Sequence, residues 1–393
     1  MNRRSVLQSG IAWLAASGAR GFGQTSMRPP EDMIHIPAGE FVMGSPRGEV
    51  SQPAARGGRA MGPGRGSRSD TRHSVRLGEF YIGRNLVTNA EYKLFCDAAG
   101  SRHKPGGNRR DNVVASYWDS PDFSWAEKAN HPVLFVGYNQ VTAYCQWVSA
   151  KAGWNVTLPS EAQWERAARG QTKTGEEFEY TWGNETSAED YENRLNYNVL
   201  CAVKNGISRS VAGNTYPHWP FVVEKRQGSS MASNFKGVAY GEQDERTPDI
   251  QESSDEVKAV WSRIMRRGGY TTPVGSYPPG PSGCFDMAGN AFEWTRDFYT
   301  IAWYLKLAEK TVDPCVDDVN MLTDEDRKSG SDGMQGGPGA GAGGRPTKVI
   351  RGGSWYANEG SCKTHRRTET RAAGPAGYHS VGFRVVATIK SKA

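Results

Sequence analysis

The chain closes on Arg351-Gly352-Gly353-Ser354-Trp355, with Cys362 a short way on and then Gly382-Phe383-Arg384. Paired glycines accept a left-handed backbone at no steric cost, so the first run reads as a turn where two segments approach closely. A hydroxyl, an indole and a thiol follow it. Working outward, Asp286-Met287-Ala288-Gly289-Asn290-Ala291-Phe292-Glu293-Trp294 places two carboxylates around a Gly-Asn pair, the dipeptide of a tight turn. Further upstream, Leu158-Pro159-Ser160-Glu161-Ala162-Gln163-Trp164-Glu165 sets Ser160 at a cap position with Gln163 three residues later, which predicts a short helix ending at Gly170.

In order and rough spacing, the three blocks together resemble the formylglycine-generating enzyme family, also called the sulfatase-modifying-factor fold. The resemblance implies an α+β, irregular, turn-rich architecture akin to the C-type lectin fold, with short helices and small antiparallel sheets. It also implies a chemistry in which two cysteines after the Gly-Gly-Ser turn bind copper(I) and activate oxygen to oxidise a substrate cysteine. Laid residue on residue from Ser354, the second cysteine falls on Cys362 and the first on Ala357. Linear two-thiolate coordination suits soft copper(I), and one thiolate beside a methyl group cannot supply it. Copper is therefore not expected. Cys362 and Ser354 remain the candidate catalytic residues, and Trp355, Phe292, Arg366 and Arg367 the candidate substrate contacts. His365 makes a Cys-x-x-His pattern with Cys362, a weak metal signal on its own.

The same resemblance implies structural calcium. Asp286 and Glu293 would give side-chain oxygens and Gly289 and Ala291 backbone carbonyls, the hard donors calcium takes. A metal-free turn with Glu293 in a salt bridge is the plainer alternative. A second calcium loop in the family begins at the asparagine matched to Asn196, but its acidic partner would fall at Arg266-Arg267-Gly268-Gly269, where no carboxylate stands.

Gross composition is compatible with this. The chain has 393 residues, 37% of them apolar, and a formal charge of +6. No apolar run reaches the roughly 18 residues of a membrane span. Residues 1–25 read as a cleaved export signal: Arg3-Arg4, an apolar run from Ile11 to Ala16, then Ser17-Gly18-Ala19. The paired arginines resemble the twin-arginine type, which exports folded proteins. A periplasmic or secreted protein is expected. Cleavage lowers the charge to about +3, too mild a surplus to indicate nucleic acid. Six cysteines are not a disulfide scaffold at this length. Cys96 and Cys145 fall in two predicted helices, and a bridge between them is one possible pairing among many.

A single domain over 32–388 is expected, with insertions at 44–72, 198–266 and 328–346. The first is Gly, Pro, Ser and Arg-rich, a solvated loop or an arm for polyanions. The second, peculiar to this chain, is the better place for a recognition function. The third is nearly all Gly, Ser and Ala. Met33 to Met43 alternates apolar and polar residues around Pro37-Ala38-Gly39, which predicts a hairpin. Phe80-Tyr81-Ile82-Gly83 reads as a strand. Thr88 and Glu91 form a capping box for a helix burying Tyr92, Phe95 and Cys96. A second helix is expected from Gln140 to Ala152, burying Val141, Tyr144, Cys145 and Trp147 to Val148, and His131 reads as a structural histidine.

No Ser-His-Asp triad, phosphate-cradling loop or zinc-protease helix is present. Three functions fit the residues: an oxidative maturation factor acting on a peptide or small molecule, a non-catalytic module binding a peptide, protein or small-molecule ligand, and an oxygen-dependent formylglycine generator using Cys362.

Overall fold

The computed structural model describes residues 32–45, 72–106, 118, 129–170, 178–184, 187–197, 221–223, 235–237, 271–300, 311–324, 326, 346–355, 357, 359–371 and 380–389. The export signal (1–25) and nearly all of the segments 44–72, 198–266 and 328–346 lie outside these residues. In chain order the strands are β1 (Met33–Ile36), β2 (Gly39–Met43), β3 (His73–Leu77), β4 (Phe80–Gly83), β5 (Asn155–Thr157), β6 (Phe221–Val223), β7 (Phe235–Gly237), β8 (Phe292–Phe298), β9 (Thr311–Val312), β10 (Thr347–Arg351), β11 (Thr368–Arg371), β12 (Val381–Gly382) and β13 (Val386–Thr388). The helices are α1 (Asn89–Ala99), α2 (Tyr138–Ala152), α3 (Glu161–Arg169) and α4 (Ala188–Arg194). The architecture is α+β, built from small sheets and short helices, as the sequence implies.

The helices start where their caps dictate. Thr88 Oγ1 accepts from the Glu91 amide while the Glu91 carboxylate accepts the Thr88 amide at 2.7 Å. Ser160 and Gln163 repeat the device for α3, and Gly170 ends it at φ 71°. Helix α2 begins at Tyr138, ahead of the Gln140 expected from sequence, because Gln140 acts as the third helical residue and its Oε1 accepts the Gly137 amide at 2.9 Å. Its buried residues are Val141, Tyr144, Cys145 and Val148. Trp147 is only half-buried.

The expected hairpin over Met33–Met43 does not form. Both strands exist, but β1 pairs antiparallel with β4, while β2 pairs with β3. The Pro37-Ala38 step passes the chain from one sheet to the other. The first sheet has the order β1-β4-β13-β5, a second runs β2-β3-β9, and a third runs β11-β10-β8-β12. Strand β13 reaches back from the C-terminus to lie between β4 and β5.

Two apolar bodies hold the sheets together. Around α1 and α2, Tyr92 stacks on Tyr144 at 5.6 Å and Phe383 meets Tyr144 edge-on at 5.2 Å. Offset and edge-on ring pairs of this kind add about 0.5–1.5 kcal/mol beyond their burial. The other body packs Trp164, Ala167 and Ala168 of α3 under β2, β3 and β4. Cys96 and Cys145 are both free, buried thiols in the first body, so no bridge joins them. His131 is structural, its Nδ1 2.9 Å from Thr271 Oγ1.

Candidate functional site

Gly352 and Gly353 carry φ of 93° and 72°, so the turn does adopt the left-handed backbone. A Cβ on Gly353 would lie 2.3 Å from Cys362 Sγ, and one on Gly352 would lie 3.0 Å from the Trp164 ring. The glycines therefore let the chain close over the sulfur on one side and over the indole on the other. Cys362 ends the 3-10 turn Glu359–Cys362 and is fully buried. Tyr180, Leu195, Tyr197 and Ala288 surround it. Burial pushes its thiol far above the usual range, Glu359 adds to this, and the Ser354 and Gly289 amides only partly oppose it. The sulfur is held as a neutral thiol.

Ser354 is fully buried, and its carbonyl accepts the Ala357 amide at 2.9 Å. Trp355, also buried, donates its amide to the Asn290 carbonyl at 3.1 Å. Ala357 packs on the α1–α2 core, whereas Cys362 belongs to the tyrosine-lined cluster. One thiol and one methyl flank the turn, and among the described residues no group of three or more His, Cys, Asp or Glu side chains comes together to hold a metal. Copper(I) needs a soft donor pair. The residues present do not fit it.

The Asp286 loop lies directly beneath. Asp286 stands at φ 55° and its Oδ2 accepts the Gly275 amide at 2.8 Å, while Oδ1 is buried with no hydrogen-bond partner. Burial pushes this carboxyl up to about 6, against the Gly275 amide and Arg384. Glu293 is fully buried and clasped bidentately by Arg384, at 2.6 Å from Nε and 2.8 Å from Nη2, with Trp164 Nε1 adding a third bond at 2.9 Å. Asn196 sits against this same loop: its carbonyl accepts the Asn290 amide at 2.7 Å, and a Cβ on Gly289 would strike that carbonyl at 2.3 Å. Asn290, whose part in the sequence reading was only to permit a turn, uses its side chain as a backbone mimic, bonding Thr272 N at 3.0 Å and Thr272 O at 3.2 Å.

The unpartnered Oδ1 of Asp286 is a hard oxygen of the kind calcium takes, whereas Glu293 already accepts three hydrogen bonds, two from Arg384 and one from Trp164. Gly289 O already accepts the Ala291 amide at 2.8 Å and keeps its second lone pair.

Of the candidate substrate contacts, Phe292 lies in the core. Arg367 is buried and committed: Nε and Nη2 donate to Glu161 at 2.7 and 2.9 Å, and Nη1 donates to Thr300 O at 3.1 Å. Arg366 is half-exposed. Behind Arg367 lies a buried ionic network that the sequence did not disclose, since its members come from distant segments. Arg351 pairs with Glu165, donates to the His365 and Thr364 carbonyls at 2.9 and 3.0 Å, and lies over the Trp164 ring. Arg169 lies 2.9 Å from Glu165, whose other role is to accept the Gly44 amide at 2.8 Å. Burial and the cations Arg169, Arg351, Lys363 and Arg366 drive His365 down to about 3, so its ring is neutral.

This combination of a Gly-Gly-Ser turn closed over a thiol, a glutamate–arginine clasp and an irregular α+β frame defines the class of protein. The chain belongs to the sulfatase-modifying factor enzyme 1-like domain family, whose sequence profile matches residues 19–217 and 220–389. It is similar to the formylglycine-generating enzyme of Streptomyces coelicolor, 25% identical over 389 residues, which is 91% of this chain and 89% of that protein. The formylglycine-generating enzyme of Thermomonospora curvata is 25% identical over 313 residues, 72% of this chain and 77% of that one. A shorter match, 31% identical over 136 residues and 31% of each chain, is to a hercynine oxygenase of Mycobacterium tuberculosis. Among solved structures, PvdO from Pseudomonas aeruginosa shares the fold with a TM-score of 0.50 and 19% identity, covering 94% of this chain and 99% of that one.

Proposed function

We propose that this chain is an exported oxidative maturation factor acting on a peptide or small molecule, by a route other than the copper chemistry of a standard formylglycine generator. Support for oxidation comes from relatives named as formylglycine-generating enzymes across most of the chain and from a hercynine oxygenase over part of it. The observation that carries the departure from copper is Ala357 standing where a second thiol is needed, with Cys362 held protonated by burial. Export, and a periplasmic or secreted location, rest on the Arg3-Arg4 segment. The test is incubation of the purified protein with oxygen, copper(I) and a Cys-x-Pro-x-Arg peptide. The peptide mass is expected to stay unchanged; conversion of its cysteine to the aldehyde overturns the reading.

A second reading, a non-catalytic module for a peptide, protein or small-molecule ligand, is favoured by the complete burial of Cys362. Elemental analysis separates the two, since a binder carries no stoichiometric redox metal. In either case Asp286, Glu293 and the carbonyls of Gly289 and Ala291 would hold a calcium ion, whose role is to neutralise the buried carboxylates and fix the loop under the turn. A chelator should lower the melting temperature of the wild type and leave Asp286→Ala unmoved; equal shifts in both would remove calcium from this loop.

A further inference from the structure

The Cys362 sulfur is enclosed from two sides of different character. On one side stand Gly353, whose Cα hydrogens face Sγ, and the Ala288-Gly289 step beneath the turn. On the other lies the run 178–184 and 187–197, which brings Tyr180, Leu195 and Tyr197 into one cluster with Cys362, with Trp182 and Tyr191 half-buried against it. This run supplies no strand to any sheet among the described residues, and α4 packs extensively on no other described helix or strand. It lies over the site as a strap. Thr364 donates its amide to Glu179 O at 2.7 Å and its Oγ1 to Phe178 O at 2.8 Å, while Lys363 Nζ stands 2.8 Å from the Glu179 carboxylate. Tyr180 Oη donates to Glu359 O at 3.4 Å, and at the far end Asn196 O accepts the Asn290 amide at 2.7 Å.

Glu359 supplies a second, independent observation. It opens the 3-10 turn that ends at Cys362, and side chains three apart in such a turn eclipse, so carboxylate and thiol share a face. Its Oε2 is buried with no hydrogen-bond partner. A buried, unpaired carboxylate oxygen raises the free energy of the closed arrangement, and contact with water relieves it. We propose that the run 178–197 is a strap that lifts off the Glu359–Cys362 turn, hydrating Glu359 and admitting substrate to the thiol, while the two apolar bodies stay packed. Segments with few packed contacts open locally at a lower free energy than the whole fold. The inference rests on reading Cys362 as the sulfur that acts, and it gives that fully buried thiol a route to solvent.

The test is alkylation of the full-length folded protein with iodoacetamide at neutral pH, across sub-denaturing urea, followed by peptide mapping. Cys362 is expected to react at least about tenfold faster than Cys96, Cys145 and Cys284, the buried thiols of the two apolar bodies, with a weaker dependence on urea. Thr364→Val removes the tie to Phe178 O and should raise the ratio of Cys362 to Cys145 rates about fivefold. Glu359→Gln, which buries a neutral amide in place of the carboxylate, should lower that ratio. Alkylation involves no oxidation, so the result is separate from that of the peptide assay. Labelling of Cys362 in step with the other three thiols, with their urea dependence, overturns the strap, as does a ratio that neither variant moves.

Discussion

Gly353 has no room for a side chain. A Cβ there would meet Cys362 Sγ at 2.3 Å and the Cys362 backbone at 3.0 Å, on a residue already at φ 72°. Gly353→Ala is therefore expected to cost about 3 kcal/mol, combining left-handed strain with overpacking. Cys362→Ala in the same chain should recover part of it, since the sulfur is the nearest obstacle and the backbone the second. Urea denaturation of the single and double variants reads this directly. A Gly353→Ala protein as stable as the wild type would show that the thiol does not press on the turn. At this scale the sequence was legible where chemistry is local: the paired glycines announced a close approach, and the Gly289-Asn290 pair announced a tight turn, which both residues make with positive φ. What stayed hidden was partnership across the chain. Glu293 is clasped by an arginine 91 residues away, and nothing in either segment names the other.

Caps belong to the elements, and they were legible because Thr88 with Glu91 and Ser160 with Gln163 act within four consecutive residues. Strand pairing was not. The alternation over Met33–Met43 correctly marks two strands, but alternation fixes only which face is buried, and the partners β4 and β3 are chosen by long-range packing. The same limit concealed the network that binds α3 to β10 and to the start of β11. Burial pushes the Glu161 carboxyl up, but Arg367 and Arg351 outweigh it and hold the group below its ordinary value. A depressed carboxyl contributes stability above its unfolded pKa and loses it as pH falls through the folded one. Arg367→Met should accordingly destabilise by about 3 kcal/mol at neutral pH, by leaving buried Glu161 with only Arg351, at 3.6 Å, to offset its charge. The deficit should shrink at acid pH, below the ordinary glutamate range, where Glu161 takes up a proton. Thermal melts at both pH values check it. A neutral-pH loss near zero, with altered ligand binding instead, would return Arg367 to the substrate contacts.

For the whole molecule, the three sequence blocks and the C-terminal strands converge on one buried centre. Strand β12 runs parallel to β8, Arg384 then locks Glu293, and β13 closes the sheet between β4 and β5. Sequence identity to the relatives is low, yet the fold was legible because the three motif blocks stand in the order and rough spacing of the family they resemble. Function was less so, since a site is set by single atoms. Here it turns on one sulfur. Copper(I) titration of the purified protein under anaerobic conditions, beside Ala357→Cys, isolates that atom. The wild type should bind no stoichiometric copper(I), and Ala357→Cys should bind one ion per chain. Stoichiometric copper(I) in the wild type would contradict the account, because it would require a second soft ligand that neither the turn nor Cys362 provides.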